Sequence, residues 1–212
     1  NAKFGINIQI IEGEREANLI YKGALASVTP SSFPVLIIDI GGGSTEFIIG
    51  TETKILWKHS FDFGSTALTK NEIISDPLLS TEIVNLELKL NQFLTQLFVE
   101  IQNHNPVNLI GTTGAFESLA QISENKKGNT TSVKSGYVYS ESELDAVIKQ
   151  LMTSSTEERE TIDGMNPLRV GTINIAALIF NYVSSKTKFT TKYLSLGDVK
   201  EGLALEYLET NS

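Results

Sequence analysis

The stretch that decides the fold is Val35-Leu36-Ile37-Ile38-Asp39-Ile40-Gly41-Gly42-Gly43-Ser44-Thr45-Glu46-Phe47-Ile48-Ile49-Gly50. Two apolar runs rich in β-branched residues flank three glycines, a pattern typical of a β-hairpin with a tight turn. If the turn centres on Gly42-Gly43, Asp39 lies directly opposite Glu46. Like charges at opposed positions destabilise a strand pair, so we expect a cation between the two carboxylates. The alternative is an ordinary glycine-rich hairpin whose carboxylates point into water.

The same hairpin carries the features of a phosphate site. Glycines lack a Cβ, so they can adopt positive φ and present successive N–H groups to a phosphate. Carboxylates are the ligands that a hard cation such as Mg²⁺ prefers. Carboxylates for the cation beside amides for the phosphate predict magnesium-assisted phosphoryl chemistry.

Composition limits the classes of function. The chain has 212 residues, a formal charge of −8 and no cysteine. An acidic chain is not expected to bind nucleic acid, and any phosphate site on it must be locally positive. No apolar run reaches the length of a membrane span, and the lack of cysteine suits a reducing compartment. We therefore expect a cytoplasmic protein without a membrane or nucleic-acid partner. Because the sequence starts at Asn1 and not at Met, we expect it to be part of a longer polypeptide.

Apolar periodicity divides the remaining chain into further elements. Ahead of the hairpin we expect a strand at 6–11, a helix at 12–23 and a boundary loop at 29–34. Behind it the predicted elements are a strand at 55–61, a helix at 80–101, a strand at 107–110, a polar loop at 123–133, helices at 140–152 and 168–183, a strand at 193–195 and a helix from 198. From Val35 the order is βββαβαβα. This order predicts a mixed α/β sheet with helices on both faces, as in RNase H/actin-like domains.

Two more glycine turns lie at predicted helix starts. Gly111-Thr112-Thr113-Gly114 joins a strand to a helix, where free N–H groups and the helix dipole favour an anion. It is not a Walker A loop, because the closing Gly-Lys-Ser/Thr is missing, and a structural turn remains the alternative. Phe63-Gly64-Ser65 would bring a third helix start to the same cleft, with a plain N-cap as its alternative. Among the lysines, Lys200 lies beside a glycine at a helix start and could supply positive potential.

Four of these stretches together resemble one family. Residues 38–47 are similar to the signature of the exopolyphosphatase/guanosine pentaphosphate phosphatase (Ppx/GppA) family. Residues 12–20 are similar to its Gly-x-Glu-Glu-Ala-Arg-Leu segment, 111–114 to its glycine-rich second-domain turn, and 195–202 to its closing Gly-Leu-Arg-Glu-Gly. The resemblance covers essentially the whole chain.

The resemblance implies a two-domain actin-like phosphatase that removes terminal phosphate from polyphosphate or guanosine pentaphosphate. Residues 1–33 would end the first domain and form the linker, and residues 34–212 would form the second. Glu16 and Glu46 would be catalytic, with Glu16 activating water, while Asp39 and Glu46 would bind Mg²⁺. The implied phosphate-binding residues are Gly41, Gly42, Gly43, Ser44, Thr45, Gly64, Ser65, Gly111, Thr112, Thr113, Gly114 and Lys200. The implied protein partners are the first domain of the same polypeptide and a second copy in a homodimer.

Three positions depart from the family pattern. Arg15 and Asn18 replace a Glu and an Arg of the first segment, and Lys200 replaces the closing Arg, so it would meet phosphate as a point charge. These departures leave open a phosphate- or nucleotide-sensing module that does not turn its ligand over. An actin-like sugar kinase or ATPase is the third alternative. Without the first domain, residues 1–212 are expected to be weakly active or inactive.

Overall fold

The computed structural model describes residues 10–70 and 73–211, and within them five strands form one mixed sheet. The strand order is β3-β2-β1-β4-β5, with β1, β2 and β3 antiparallel and β1, β4 and β5 parallel. The strands are β1 (Val35–Ile40), β2 (Thr45–Gly50), β3 (Ile55–Phe61), β4 (Asn108–Thr112) and β5 (Thr191–Ser195). This is the predicted RNase H/actin-like arrangement, which is therefore confirmed.

Eight α-helices surround the sheet within the described ranges. They are α1 (Gly13–Ser27), α2 (Ser80–Phe93), α3 (Thr95–His104), α4 (Thr113–Lys126), α5 (Glu141–Thr153), α6 (Thr156–Glu160), α7 (Ile173–Lys186) and α8 (Val199–Thr210). A one-turn 3₁₀ helix, Ala67–Thr69, follows β3. No helix in this part of the chain has both the length and the hydropathy needed to span a bilayer.

The helices cover both faces of the sheet, because successive strand side chains point to opposite sides. Val35 and Ile37 of β1 pack with Ala17 and Ile20 of α1 in the smaller apolar layer. The other face, which includes Leu36 of β1, packs in the larger core with α4, α5 and α7. The helix ahead of the hairpin thus belongs to the core of this sheet, and the proposed domain division at residue 33 stays a prediction.

Helix α8 lies antiparallel on α1 at very close range. Gly202 permits this approach, because a Cβ there would overlap the carbonyl oxygen of Leu19. The two helices are also joined by an ion pair between Arg15 and Glu206. Arg15, one of the departures from the family pattern, therefore ties α1 to α8.

The structure corrects several predicted boundaries. The helix expected over 80–101 is two helices with a break at Leu94 (φ −93°, ψ 10°), and the apolar spacing continues through the break because Leu90, Leu94 and Leu97 are all buried. Helix α1 continues past Gly23, where a Cβ would overlap Asp198.

Other segments differ from expectation at their ends. The predicted polar loop at 123–133 begins only after α4 ends at Lys126. Helix α7 begins at Ile173, five residues later than the periodicity indicated. Four of the six positions of the strand expected at 6–11 lie outside the described residues, and the last two are not in a strand.

We predict that Gly202→Ala destabilises the fold by roughly 1–3 kcal/mol, because the added methyl group forces α8 away from α1. Thermal and urea unfolding of the variant and the parent measure the change. The matched control is Gly171→Ala, where a Cβ would meet no atom within 4 Å. Equal stability of the Gly202 variant and the parent would contradict the close packing.

Candidate active site

A row of polar side chains crosses the sheet at one end. Glu46 of β2 pairs with Asp39 of β1 on one side and with Ser60 of β3 on the other, and Thr112 of β4 pairs with Ser195 of β5. This row lies where the parallel strands β1, β4 and β5 finish, the end of an open α/β sheet at which ligands bind. By strand alternation it shares the face covered by α1.

The two hairpin carboxylates face each other as the sequence indicated, because Asp39 and Glu46 are partners in the strand register. Glu46 is only 2% exposed, and its Oε1 accepts a 2.7 Å hydrogen bond from the Ser60 hydroxyl. Asp39 is partly buried, and the hydroxyl of Thr112 on the neighbouring strand donates to the Ile38 carbonyl at 3.4 Å. The neighbouring strand β3 therefore orients the Glu46 carboxylate.

The site is electrostatically strained without a cation. Burial, followed by the charge of Glu46, raises the pKa of Asp39 to about 7, and the charges of Asp198 and Glu16 act in the same direction. Burial also raises the pKa of Glu46, against the lowering effect of hydrogen bonds from Ser60 and Ser44. Among the residues that the structure describes, no Lys, Arg or His forms an ion pair with Asp39, Glu46 or Glu16.

The donor set fits a magnesium ion held partly by water and substrate. Within residues 10–70 and 73–211, no three His, Cys, Asp or Glu side chains are grouped so as to hold a metal by themselves. Mg²⁺ commonly uses one or two carboxylates and completes its shell with water and phosphate oxygens. Asp39 and Glu46 supply that number of carboxylates.

The glycine loop between β1 and β2 has open amides. The Gly41 N–H donates to the Ser44 carbonyl at 3.0 Å, whereas the N–H groups of Gly42, Gly43 and Ser44 have no backbone acceptor in the described chain. The prediction of positive φ in this loop is wrong, because none of its three glycines has φ in the left-handed region. A Cβ at Gly43 would meet no atom within 4 Å, so packing does not require glycine there.

The loop after β3 supports the glycine loop through hydrogen bonds to its carbonyl groups. The Ser65 N–H and the Thr66 N–H donate to the carbonyls of Gly41 and Gly42, each at 2.9 Å. The Ser65 hydroxyl also donates to Gly41 at 3.2 Å. Gly64 is needed for this contact, because a Cβ would lie 2.5 Å from the Gly41 carbonyl oxygen.

Three of the residues expected to bind phosphate make internal contacts. The Ser65 amide and hydroxyl donate to the Gly41 carbonyl, and Gly64 permits the close approach of the two loops. Thr45 is fully buried and donates its hydroxyl to the Phe63 carbonyl at 2.7 Å. Phosphate binding by these three residues stays a prediction.

The second glycine turn joins β4 directly to α4. Thr113 (φ 37°) and Gly114 (φ 45°, ψ −108°) leave helical geometry at the start of the helix, so this turn does use a left-handed backbone. Gly111 serves packing instead, because a Cβ would overlap the ring of Phe116. Phosphate binding by the turn residues stays a prediction.

Sequence reasoning missed Arg169. Its Nη2 atom lies 2.7 Å from the position that a Cβ would take on Gly114, which places the guanidinium over the second glycine turn. The side chain has no hydrogen bond or ion pair with any described residue. Arg169 lies in a loop 55 positions after Gly114, so no local pattern could have connected the two.

Asp198 was also missed as part of the carboxylate group. It caps α8 by accepting the Lys200 N–H at 2.8 Å, and its charge contributes to the raised pKa of Asp39. The Lys200 ammonium lies 3.4 Å from the Asp198 carboxylate and is 77% exposed. Lys200 therefore lies at the rim, where its predicted phosphate contact remains untested.

The family model of the Ppx/GppA phosphatases matches residues 1–211, nearly the whole chain. The chain belongs to the Ppx/GppA phosphatase family. The carboxylate pair and the two glycine turns are thus features of a member of this family, as the sequence motifs indicated.

Relatives and solved structures agree with this membership. The chain is 22% identical over 205 residues to Exopolyphosphatase 2 of Mycobacterium tuberculosis and 26% identical over 202 residues to a putative exopolyphosphatase of Haemophilus influenzae. These alignments cover 95% and 94% of this chain but 64% and 60% of the relatives. The chain therefore spans less than two thirds of their length.

The structure of an exopolyphosphatase from Cytophaga hutchinsonii superposes with a TM-score of 0.94 at 30% identity, covering 99% of this chain and 68% of that one. The Aquifex aeolicus PPX-GPPA enzyme superposes with a TM-score of 0.82 at 21% identity, covering 96% and 67%. At this lower identity the second likeness concerns the fold alone.

We predict that Asp39→Asn makes the metal-free protein more stable at neutral pH. The pKa of Asp39 rises from 3.8 to about 7 on folding, so the parent loses stability as pH rises between these values and does not regain it above them. The free energy of unfolding of the variant should exceed that of the parent by about 1 to 4 kcal/mol at pH 8. This difference should vanish below pH ~4. Thermal unfolding with a chelator measures both effects.

The matched control is Asp62→Asn, because Asp62 is exposed on the neighbouring segment. Its unfolding is measured over the same pH range with the same chelator. A constant difference between Asp39→Asn and the parent across this range would contradict the electrostatic strain.

Proposed function

We propose that the protein hydrolyses terminal phosphoanhydride bonds of inorganic polyphosphate with Mg²⁺, using water activated by Glu16; guanosine pentaphosphate is the alternative substrate. The observation that carries the proposal is the opposed pair Asp39 and Glu46 beside the open amides of the glycine loop. Hydrolysis of this kind needs charge neutralisation, positioning and an oriented water, and no covalent nucleophile. The names of the relatives support polyphosphate as the first substrate to test.

The glycine loop would hold the terminal phosphate. Three successive N–H groups, from Gly42 to Ser44, are free of backbone acceptors in the described chain. Neither packing nor a positive φ requires glycine at position 43. A glycine there is explained if the ligand needs close access to the backbone. This use of the loop also explains why its carbonyls are turned away toward Ser65 and Thr66.

Arg169 would supply the positive charge that an acidic chain lacks at this site. Its guanidinium is unpaired among the described residues and lies over the second glycine turn. A guanidinium can donate two parallel hydrogen bonds to phosphate oxygens, which fixes orientation as well as charge.

Mg²⁺ would be held by Asp39 and Glu46, whose mutual repulsion it would relieve. When bound, the ion polarises phosphoryl oxygens and neutralises charge on the substrate. Ser60 keeps the Glu46 carboxylate in orientation through its hydrogen bond.

Glu16 would orient and deprotonate the attacking water. It lies near the start of α1, is partly buried, and is close enough to raise the pKa values of both Asp39 and Glu46 by its charge. It also has no ion-pair partner within the described ranges, so its carboxylate is free to accept a proton.

We also propose that a first domain of the same polypeptide completes the cleft and that the whole protein is a cytoplasmic homodimer. Support for a further domain comes from the relatives, since this chain covers 64% of Exopolyphosphatase 2. Residues 1–212 by themselves would then lack half of the substrate cleft.

We predict that Glu16→Gln lowers kcat for phosphate release from long-chain polyphosphate by about 10²-fold or more, the loss expected for a general base. The change keeps the shape of the side chain, so KM should change little. Steady-state assays of the full-length protein with magnesium measure both constants, with guanosine pentaphosphate assayed in parallel.

The matched control is Glu14→Gln on the same helix, because Glu14 is exposed and paired with Lys58. This variant should retain parental turnover. If the parent binds polyphosphate but releases no phosphate from either substrate, the proposed hydrolase activity is contradicted. The alternative of a phosphate-sensing module is then favoured.

We predict that Arg169→Gln lowers kcat/KM for polyphosphate by about tenfold or more, because a charge-assisted contact with phosphate is lost. Thermal stability should remain parental, since the guanidinium has no partner in the described chain. Lys188→Gln is the control for removing an exposed positive charge at the opposite end of β5. Parental kinetics in the Arg169 variant would exclude Arg169 from the site.

A further inference from the structure

The first turn of α1 lies directly on β3, the outermost strand on its side of the sheet. Gly13 is the first residue of the helix, and a Cβ on it would lie 2.6 Å from both the Cβ and the Oγ atom of Ser60. Carbon atoms in ordinary contact are about 3.5–4.0 Å apart, so only glycine fits at this position. The proposed chemistry of the site assigns no role to Gly13.

Backbone conformation does not account for this glycine. Gly13 is helical and does not have a positive φ, so its backbone is open to other residues. Glycine also weakens a helix, because it loses more conformational freedom on folding than other residues do. The contact with Ser60 is therefore the reason that the structure offers for a glycine here.

Ser60 is fixed from the other side by Glu46. The two residues are partners in the register of β2 and β3, so the backbone of the strand holds the Cβ atom of Ser60 in place. The Ser60 hydroxyl donates to Glu46 Oε1 at 2.7 Å, and a rotation that moved it away from Gly13 would break this hydrogen bond. A side chain on residue 13 would therefore displace the first turn of α1 and not Ser60.

Lys58 holds the same turn of α1 against β3. Its Nζ atom donates to the Glu14 carbonyl at 2.7 Å. Lys58 and Ser60 are two residues apart in β3, so their side chains point to the same face of the sheet. The acceptor is a backbone carbonyl, so this contact does not depend on the side chain at position 14. The first turn of α1 is thus joined to β3 at two neighbouring points.

This turn also carries Glu16. Glu16 lies three residues after Gly13, which places both on one face of the helix. Ala17 and Ile20 continue this face and pack against the sheet in the smaller apolar layer. Glu16 is close enough to Glu46 for its charge to act on that carboxylate. The contact at Gly13 therefore sets the height of Glu16 above the sheet, and with it the distance from Glu16 to Glu46.

We propose that Gly13 is a positioning residue, which acts through Ser60 to set the separation between Glu16 and Glu46. The proposal rests on the proposed function, in which Glu16 orients the attacking water and Glu46 holds Mg²⁺. A methyl group on residue 13 would move the first turn of α1 by about 1 Å, the difference between 2.6 Å and an ordinary carbon contact. A misplacement of this size in a catalytic site can lower a rate by about 10²-fold.

The test is Gly13→Ala in the full-length protein, with steady-state release of phosphate from long-chain polyphosphate and magnesium. We expect kcat to fall about tenfold or more while KM stays within twofold, because the glycine loop that would hold the phosphate is not displaced. Unfolding curves of each variant fix an assay temperature at which the protein is folded. A smaller loss of kcat, or a change confined to KM, would overturn the proposal.

Two further backgrounds test the role of Ser60. Ser60→Gly loses the hydrogen bond to Glu46, but it also removes both atoms that the new methyl group would meet. Adding Gly13→Ala to Ser60→Gly should therefore lower kcat no further. Ser60→Ala keeps the Cβ atom, so Gly13→Ala should still lower kcat in that background.

These backgrounds separate positioning from a general loss of stability. A substitution that merely weakens the fold would lower kcat by the same factor in all three backgrounds, and this result would overturn the proposal. If Gly13→Ala alone does not fold, the double variant with Ser60→Gly decides. Its kcat should equal that of Ser60→Gly, and a lower value would overturn the proposal.

The matched control is Gly202→Ala, which also adds a methyl group at a close approach to α1. A Cβ on Gly202 would overlap the carbonyl oxygen of Leu19, away from the contact with Ser60. Ser60→Gly should leave the effect of Gly202→Ala on kcat unchanged. If Ser60→Gly relieved both glycine substitutions, the relief would reflect a looser fold and would overturn the proposal.

If the parent hydrolyses neither substrate, the proposed function fails and the spacing is tested by structure alone. Crystal structures of the parent and of Gly13→Ala then compare the distance between the Glu16 and Glu46 carboxylates. A change of about 1 Å, absent from the double variant with Ser60→Gly, supports the positioning role. An unchanged distance in Gly13→Ala overturns it.

Discussion

The structure depends on one unfavourable interaction, the placement of Asp39 directly opposite Glu46 in an antiparallel strand pair. Two carboxylates at this distance repel each other, and burial makes the repulsion stronger. Burial of Asp39, followed by the charge of Glu46, raises the pKa of Asp39 to about 7. A fold retains such a pair when a cation or a proton relieves it, and this explains why the polar row lies at the open end of the sheet and not in its centre.

Much of the surrounding structure supports the hairpin at this point. In the loop after β3, the amide and the hydroxyl of Ser65 both donate to the Gly41 carbonyl. By engaging the carbonyls of the glycine loop, the loop after β3 leaves the amides on the other side open. Ser60 performs the corresponding task for Glu46. The site is therefore pre-organised by backbone contacts that involve few charged groups.

The layer formed by α1 and α8 brings the remaining carboxylates to the hairpin. Close packing at Gly202 sets the distance between these helices. Helix α1 carries Glu16 over the sheet, and the cap of α8 places Asp198 near Asp39. A helix ahead of the hairpin in the sequence is thus part of both the core and the site.

The sequence by itself determined the hairpin, the opposition of Asp39 and Glu46, the order of strands and helices along the chain, and the family. These features follow from local alternation, from the central glycines and from motif spacing, all of which are readable along the chain. It could not determine which glycines serve packing and which leave room for a ligand, because Gly64 and Gly43 look alike in sequence and differ only in their neighbours. Nor could it find Arg169, whose position over Gly114 arises from a contact between segments distant in the chain. Tertiary structure decided these points, since burial and the absence of a partner are properties of a packed molecule and not of a residue type.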